Sequence, residues 1–421
     1  MGSSVARPAL PPAPETYTAR WVFPVAGPPL AGGTVTVRGD LIEAVEPHGT
    51  RAAGVDFGNA ALVPGLVNAH THLDLSGARG LVPPTDPAHF TDWLRGVIAY
   101  RRARTPEQVQ ADIRTGLAEC LRTGTTLLGD IAAEGASWDT VAAAPVRAVV
   151  FRELIGLSEE RARAAVAAGR EWFESRSETA CLRAGISPHA PYSVRSTLFA
   201  AAGQIVRVKK RPLAVHLAES PVELELVHAR RGPFVAFLKD VGVWDADAFF
   251  DRLGDVMTAC DARQPKLFVH GTYLAPSARV PRNSTLVYCP RTHAAFGHPP
   301  HPFRDFLARG VRVCLGTDSL ASNPDLDILA EARHVHAAYP DFPGDALLRT
   351  VTLAGAEALG WADETGSLEA GKSADCVVVP LPDRDAADPH ALLFAPHPGD
   401  RRTMFRGAWR ASAGTRYSDD C

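Results

Sequence analysis

A chain of 421 residues exceeds the ~100 to 200 residues usual for one domain, so it divides into two or three domains or forms one large barrel with an accessory unit. Its 46% hydrophobic and 22% charged residues are ordinary globular proportions, which exclude disorder, collagen and coiled coil as the main architecture. Forty-four Lys and Arg against 47 Asp and Glu leave a net charge of −3, without the basic surplus that follows nucleic acid.

The first 14 residues are Pro/Ala-rich and lack a basic-then-apolar signal pattern, and no stretch of about 18 uninterrupted apolar residues occurs. The expectation is a cytoplasmic protein without membrane contact. Seven scattered cysteines, with no CxxC pair, read as reduced thiols, mostly small core residues. Residues 17–60 show short alternating strands broken by Gly and Pro, which suits a small antiparallel unit. Eight short apolar runs follow, at 61–67, 125–131, 146–154, 182–187, 213–217, 266–269, 285–288 and 311–315. Between them lie segments of helical period, such as 159–173, 197–208, 221–238 and 325–338. Strands alternating with helices in this way match an α/β fold, the (β/α)8 or TIM barrel. Residues 366–421 return to short strands, so residues 15–60 and 366–421 are expected to form a β-sandwich from both termini, and 61–365 the catalytic barrel.

His70-Thr71-His72 follows the first run, where strand alternation puts residues i and i+2 on one face, so two imidazoles point together into the barrel mouth. His216 ends the run LAVHL, His270 ends LFVH, and Asp318 follows the last run in LGTDS. Active sites of this architecture are built at the C-terminal ends of the strands. Imidazole and carboxylate groups in a barrel interior are costly unless paired or metal-bound, so a shared site accounts for the set better than separately satisfied polar residues.

The stretches LVPGLVNAHTHLDLSGARG (62–80), SPHAPYSV (187–194), VHLAES (215–220), FVHGTYL (268–274), CPRTHAAFG (289–297), LGTDSLASNPDLDIL (315–329) and ALGWADETGSLEAGKSADCVVV (358–379) together resemble the amidohydrolase superfamily, in its deaminase and chlorohydrolase branch with one metal. The resemblance implies that His70, His72, His216 and Asp318 hold one divalent ion, zinc foremost and iron second. It makes Glu219, three residues after His216, the proton shuttle, and gives His270 the task of orienting the attacking water. Asp318 would also hydrogen-bond that water. Three nitrogens and one oxygen, with a position left for water, suit catalytic zinc on coordination chemistry alone. The fourth strand ends in GISPHAP without a lysine, which disfavours the two-metal branch. Hydrolytic deamination needs a base for water and an acid for a ring nitrogen, and one carboxyl serves both in turn. Glu223 reads as an ordinary helix residue.

His189, in HAPYS, resembles a substrate-contacting histidine of deaminases acting on adenosine-like compounds. Arg152 and Glu153 close the third run, each either a substrate contact or an ion-pair partner. In CPRTHAAFGH, Thr292 and His293 stand where deaminases often carry a Ser-Asn pair, with Phe296 nearby, and His293 and Phe296 are candidates to stack on or hydrogen-bond a planar base. Trp93 is a candidate lid residue or plain packing. His298 and His301 read as loop residues, and His334 and His336 as surface residues. The expected function is a metal-dependent hydrolytic deaminase releasing ammonia from an aminated N-heterocycle, foremost an adenine nucleoside-like compound such as an adenosine derivative or aminodeoxyfutalosine. The alternative is a hydrolase with another leaving group, chloride from a triazine or a cyclic amide. The expected partner is a small-molecule substrate; relatives of this kind are often homodimers, but no interface stands out.

Overall fold

The computed structural model describes residues 13–410, so most of the Pro/Ala-rich start, and Cys421, lie outside the described residues. Two compact units result: the described residues up to Gly65 with those from Asp363 onward, and Leu66–Ala362.

In the second unit eight parallel strands, Leu66–Thr71, Thr125–Ala132, Arg147–Leu154, Leu182–Pro188, Leu213–Leu217, Lys266–His270, Ser284–Tyr288 and Arg312–Leu315, pair in chain order. They are buried almost throughout, because helices cover a parallel sheet outside while side chains fill it inside; all eight residues of Thr125–Ala132 are buried. A single bridge between Thr71 and Asp318 joins the last strand end to the first. Asn68 fastens that seam, donating from Nδ2 to Thr317 Oγ1 (2.8 Å) and accepting the Thr317 amide on Oδ1 (3.1 Å). Gly316 makes the approach feasible, since a Cβ there would lie 2.7 Å from the Cβ of His70.

Side chains cap the helices: Thr105 and Gln108 form a capping box at Pro106–Arg122, Ser158 caps Glu159–Ser175, and Asp327 caps Ile328–Ala338. The single helix expected over 221–238 is two, Pro221–Ala229 and Pro233–Asp240. Arg230 and Gly232 adopt φ of 52° and 87° between them, and Pro233 opens the second helix at the position where its missing N–H costs nothing. The run at 61–67 also splits. Ala60–Pro64 pairs antiparallel with Cys376–Pro380 in the terminal unit, and the barrel strand begins at Leu66; uniform apolarity hid a break at Pro64-Gly65.

The terminal unit contains a four-stranded sheet, in order Leu41–Glu46, Thr34–Arg38, Glu15–Thr18 and Val55–Asp56. Its six-stranded sheet runs Ala408–Trp409, Arg402–Phe405, Cys376–Pro380, Ala60–Pro64, Trp21–Val22 and Leu30–Ala31. Tyr17, Val35, Ile42, Leu62 and Met404 form its core. Among the described residues no helix is long and apolar enough to cross a membrane.

Candidate metal centre and active site

The site starts at an irregularity. Pairing of the first and second barrel strands shifts register between Asn68 and Thr71, a feature that re-aims side chains. Asp130, on the second strand, accepts the Thr71 hydroxyl (3.1 Å) and the Leu73 amide (2.9 Å) on Oδ1, bracketing His72. His70 and His72 then stand with ring centroids 4.9 Å apart.

The imidazoles from the fifth and sixth strands close in on this pair. His216 Nδ1 donates to the His189 carbonyl (3.1 Å), which fixes the tautomer and leaves Nε2 as a lone pair. That Nε2 lies 3.1 Å from His72 Nε2. Asp318 Oδ1 lies 3.5 Å from His70 Nε2 and 3.6 Å from His72 Nε2. Two overlapping triads, His70–His216–His270 and His70–His72–Asp318, bring ligand atoms within 4.8 Å of one another. Both ring nitrogens of His70 are buried without a hydrogen-bond partner, a costly state for polar atoms in an interior. Burial pushes His72 and His216 well below the usual imidazole range and His270 down to about 3, so all three are neutral lone-pair donors. Burial alone would raise the Asp318 carboxyl, but the close approach of His70 and the surrounding imidazoles hold it below the usual range. Orphaned imidazole nitrogens converging on a carboxylate fit a divalent cation, and the chain carries a site for one.

Glu219 enters the same cavity, with Oε1 3.4 Å from His270 Nε2. Burial, then the charges of Asp318 and Glu223, push its carboxyl well above the usual range. Glu223 is not the ordinary helix residue expected. It is buried, and its two carboxylate oxygens accept the amides of Ala218 and Glu219, each at 2.9 Å, holding the turn that presents Glu219.

Glu153, His189 and Trp93 line this cavity as well. His189 Nδ1 bonds Ser193 Oγ (2.7 Å), so Nε2 faces the cavity, 3.8 Å from Glu153 Oε1. Arg152 does not join them. Strand alternation sends it away from its neighbour Glu153, and its guanidinium donates to the Glu134 carbonyl (2.8 Å). His293 also lies outside the cavity lining, packed on Tyr288, His298 and His301. Phe296 packs behind Trp93, with centroids 5.1 Å apart, supporting the wall from outside the lining.

Three participants escaped the sequence reading. Arg101 pairs with Asp74 (3.0 Å) and Glu153 (3.1 Å); its signal is the spacing of Trp93, Val97 and Arg101, four apart on one face of the helix Phe90–Arg102. Ser322 donates to Asp318 Oδ2 (3.1 Å). His301, expected in a loop, is buried and donates from Nε2 to the His270 carbonyl (2.7 Å).

The amidohydrolase family matches residues 61–410. A 5-methylthioadenosine/S-adenosylhomocysteine deaminase of Moorella thermoacetica is 30% identical over 400 residues, covering 88% of this chain and 85% of the relative. Among solved structures, an aminofutalosine deaminase of Helicobacter pylori in complex with methylthio-coformycin superposes with a TM-score of 0.83 at 24% identity, over 94% of this chain and all of that one. An adenosine deaminase from Xanthomonas campestris with bound zinc gives 0.76 at 25% identity, over 94% and 93%. With a barrel closed at the Thr71–Asp318 seam and imidazoles gathered at its strand ends, the chain belongs to the amidohydrolase family.

Proposed function

We propose that this chain is a hydrolytic deaminase that uses one zinc ion to release ammonia from an adenine nucleoside-like compound. The observation that carries the reading is the convergence of the ligand atoms of His70, His72, His216 and Asp318, the last three lining one cavity together with Glu219. Three imidazole nitrogens and one carboxylate oxygen suit zinc. An ion held there lowers the pKa of a water towards ~7.

The chain's own groups then divide the proton work. Glu219 takes a proton from the attacking water and delivers it to the ring nitrogen beside the amine-bearing carbon. Asp318, ionised, accepts the second proton of that water and passes it to the amine as the carbon–nitrogen bond breaks, so one water is consumed and one ammonia leaves. His270, neutral and 3.4 Å from Glu219, orients the water.

Binding groups favour a nucleoside over a bare base. Glu153 Oε1 and the Trp93 indole N–H are buried without hydrogen-bond partners, an acceptor and a donor offered to the cavity. Burial would raise Glu153, but Arg101 and then His189 hold it below the usual range, so it is an ionised acceptor suited to sugar hydroxyls. The buried cysteines Cys120, Cys260, Cys289, Cys314 and Cys376 are free thiols, which supports a cytoplasmic location; sedimentation would read whether the chain forms a homodimer.

The test is ammonia release by zinc-loaded protein from adenosine, 5′-methylthioadenosine, S-adenosylhomocysteine, aminodeoxyfutalosine and guanine, beside chloride release from a chlorotriazine, with Asp318→Asn as blank. Turnover of an adenine nucleoside is expected. Chloride release without ammonia would replace the reading with the chlorohydrolase alternative.

A further inference from the structure

The two oxygens of Asp318 have different surroundings. Oδ1 lies 3.5 and 3.6 Å from the Nε2 atoms of His70 and His72, while Oδ2 accepts the Ser322 hydroxyl (3.1 Å). The backbone there is strained, with φ of 59° at Asp318, a conformation that persists only where neighbours hold it.

Two chains of hydrogen bonds reach Asp318 from the segment that follows the seventh strand. Thr292, on the short helix Pro290–Ala295, places Oγ1 3.0 Å from Ser322 Oγ. Ser322 has one hydroxyl proton and gives it to Asp318, so Thr292 is the donor in that bond. The first chain therefore runs from Thr292 through Ser322 to Oδ2. The second begins at Arg291, which donates its amide to Glu331 Oε2 (2.8 Å) and its Nε to Glu331 Oε1 (2.6 Å). The same Oε1 accepts Asn323 Nδ2 (2.6 Å), and Nδ2 also donates to the carbonyl of Thr317 (2.7 Å), in the peptide that leads into Asp318. Thr292, Ser322, Asn323 and Glu331 are all buried, Glu331 completely.

Two features set these chains apart from ordinary packing. A buried ion pair stabilises a fold no better than apolar side chains of similar volume, so Arg291 and Glu331 contribute geometry more than stability. Asn323 Oδ1 is buried without a hydrogen-bond partner. An amide placed for stability satisfies both of its ends; this one is placed for its donors, and one of them holds the peptide before Asp318.

We propose that the helix Pro290–Ala295 is a platform that orients Asp318, with Arg291, Thr292, Glu331 and Asn323 as positioning residues that keep Oδ1 toward the cage and Oδ2 on Ser322. They act through Ser322 and the Thr317 carbonyl. The kinetic consequence rests on the deaminase reading above, whereas the effect on zinc affinity rests on the cage alone.

The experiment uses the full chain with Thr292→Val and Asn323→Leu, which keep similar volumes, and Thr292→Ser, which keeps the hydroxyl. Zinc affinity is read by competition with a chromophoric chelator, and kcat and KM with 5′-methylthioadenosine. Thr292→Val and Asn323→Leu are each expected to weaken zinc binding and lower kcat by about 10- to 100-fold, the scale for groups that orient a metal ligand. KM should stay within about twofold of the parent, because the loss falls on the chemical step. Thr292→Ser should restore both affinity and kcat. Zinc-free Thr292→Val should melt within about 2 °C of the zinc-free parent, which separates positioning from a general loss of stability. Unchanged zinc affinity in both variants would overturn the platform, whether or not their melting temperatures fall. So would Thr292→Ser as impaired as Thr292→Val, since the hydroxyl would then not be the acting group. A parent that binds zinc but turns over no adenine nucleoside would overturn the deaminase reading, and the zinc affinities would still decide the platform.

Discussion

Arg101→Met is the most informative single change. Arg101 lies 3.0 Å from Asp74 and 3.1 Å from Glu153, and its side chain is 27% exposed against 6% and 4% for the two carboxylates. Removing it leaves two buried carboxylates without their counter-charge. Breaking a fully buried pair costs about 3 to 5 kcal/mol, and partial access of water to the arginine lowers that to about 2 to 4 kcal/mol here. At roughly 1 °C per kcal/mol for a chain of this size, Tm falls by about 2 to 4 °C. Methionine keeps an apolar stem, so the loss reports charge rather than a cavity. Adding Asp74→Asn and Glu153→Gln to the variant should recover most of the loss, because the stranded charges are gone. The pH dependence has a definite sign. In the parent, burial raises Glu153, but Arg101 and His189 hold it below the usual range. A depressed carboxyl contributes stability above its unfolded pKa, which is lost as pH falls through the folded value. Without Arg101 burial prevails, the carboxyl is raised, and ionising it destabilises the fold; the gap between variant and parent is therefore widest near neutrality and narrows toward pH ~4. Scanning calorimetry on the metal-loaded proteins reads all of this. A single variant within about 1 °C of the parent, or a triple variant as unstable as the single, would refute the ion-pair argument.

Three further outcomes test the site. Glu219→Gln should lower kcat by about 10² to 10⁴ with metal content by mass spectrometry unchanged, and parental turnover would remove its proton role. Glu223→Gln should lower kcat by about 10- to 100-fold with little change in KM, since an amide can accept only one of the two N–H groups that the carboxylate now receives; an unchanged kcat would mean that Glu219 is placed without it. Dialysis against a chelator should lower Tm, and zinc should return it by about 4 kcal/mol of stabilisation at a free concentration 1,000 times Kd. A Tm indifferent to both would dismiss the cage.

Local signals made the barrel and its cage legible. Seven of the eight apolar runs mark single barrel strands, and His70, His72, His216, His270 and Asp318 sit at strand ends, where the fold builds its chemistry whatever the loops do. Uniform apolarity cannot mark a change of sheet, so the first run hid the turn between two units. Glu223 looked ordinary because its partners are backbone amides, which every residue carries and no motif encodes. Arg101 was invisible because its meaning lies in Asp74 and Glu153, 27 and 52 residues away. For Arg152 and Glu153 the strand period settles the matter only once one of them is known to face inward. His293 failed similarly: it follows a strand end, yet sits on the short helix Pro290–Ala295 and packs against Tyr288.

Backbone strain shows what the supporting groups are for. Ala218, His270 and Asp318, at or just beyond three strand ends, adopt φ of 55°, 67° and 59°, a region that costs a non-glycine residue ~1 to 3 kcal/mol and persists only where neighbours enforce it. Each is held by hydrogen bonds that do not use the metal-ligating atoms. Glu223 takes the Ala218 amide, His301 donates to the His270 carbonyl, and Asp318 is tied through its amide to the His70 carbonyl and through Oδ2 to Ser322. His301 is the separable case, since it touches no cage residue except through that carbonyl, and its ring is stacked on Tyr288 at 4.1 Å. Its other nitrogen, Nδ1, is buried without a hydrogen-bond partner. His301→Leu therefore removes one hydrogen bond and an unsatisfied nitrogen together, and frees His270 to relax. Stability should hold or rise while kcat falls by about 10-fold or more, the trade expected where a strained conformation serves function. His301→Gln, whose amide can still donate to the carbonyl, should restore much of the rate at unchanged metal content. If the leucine variant turns over like the parent, His270 keeps its geometry without this anchor, and the strain at the sixth strand is a by-product of the barrel rather than part of its chemistry.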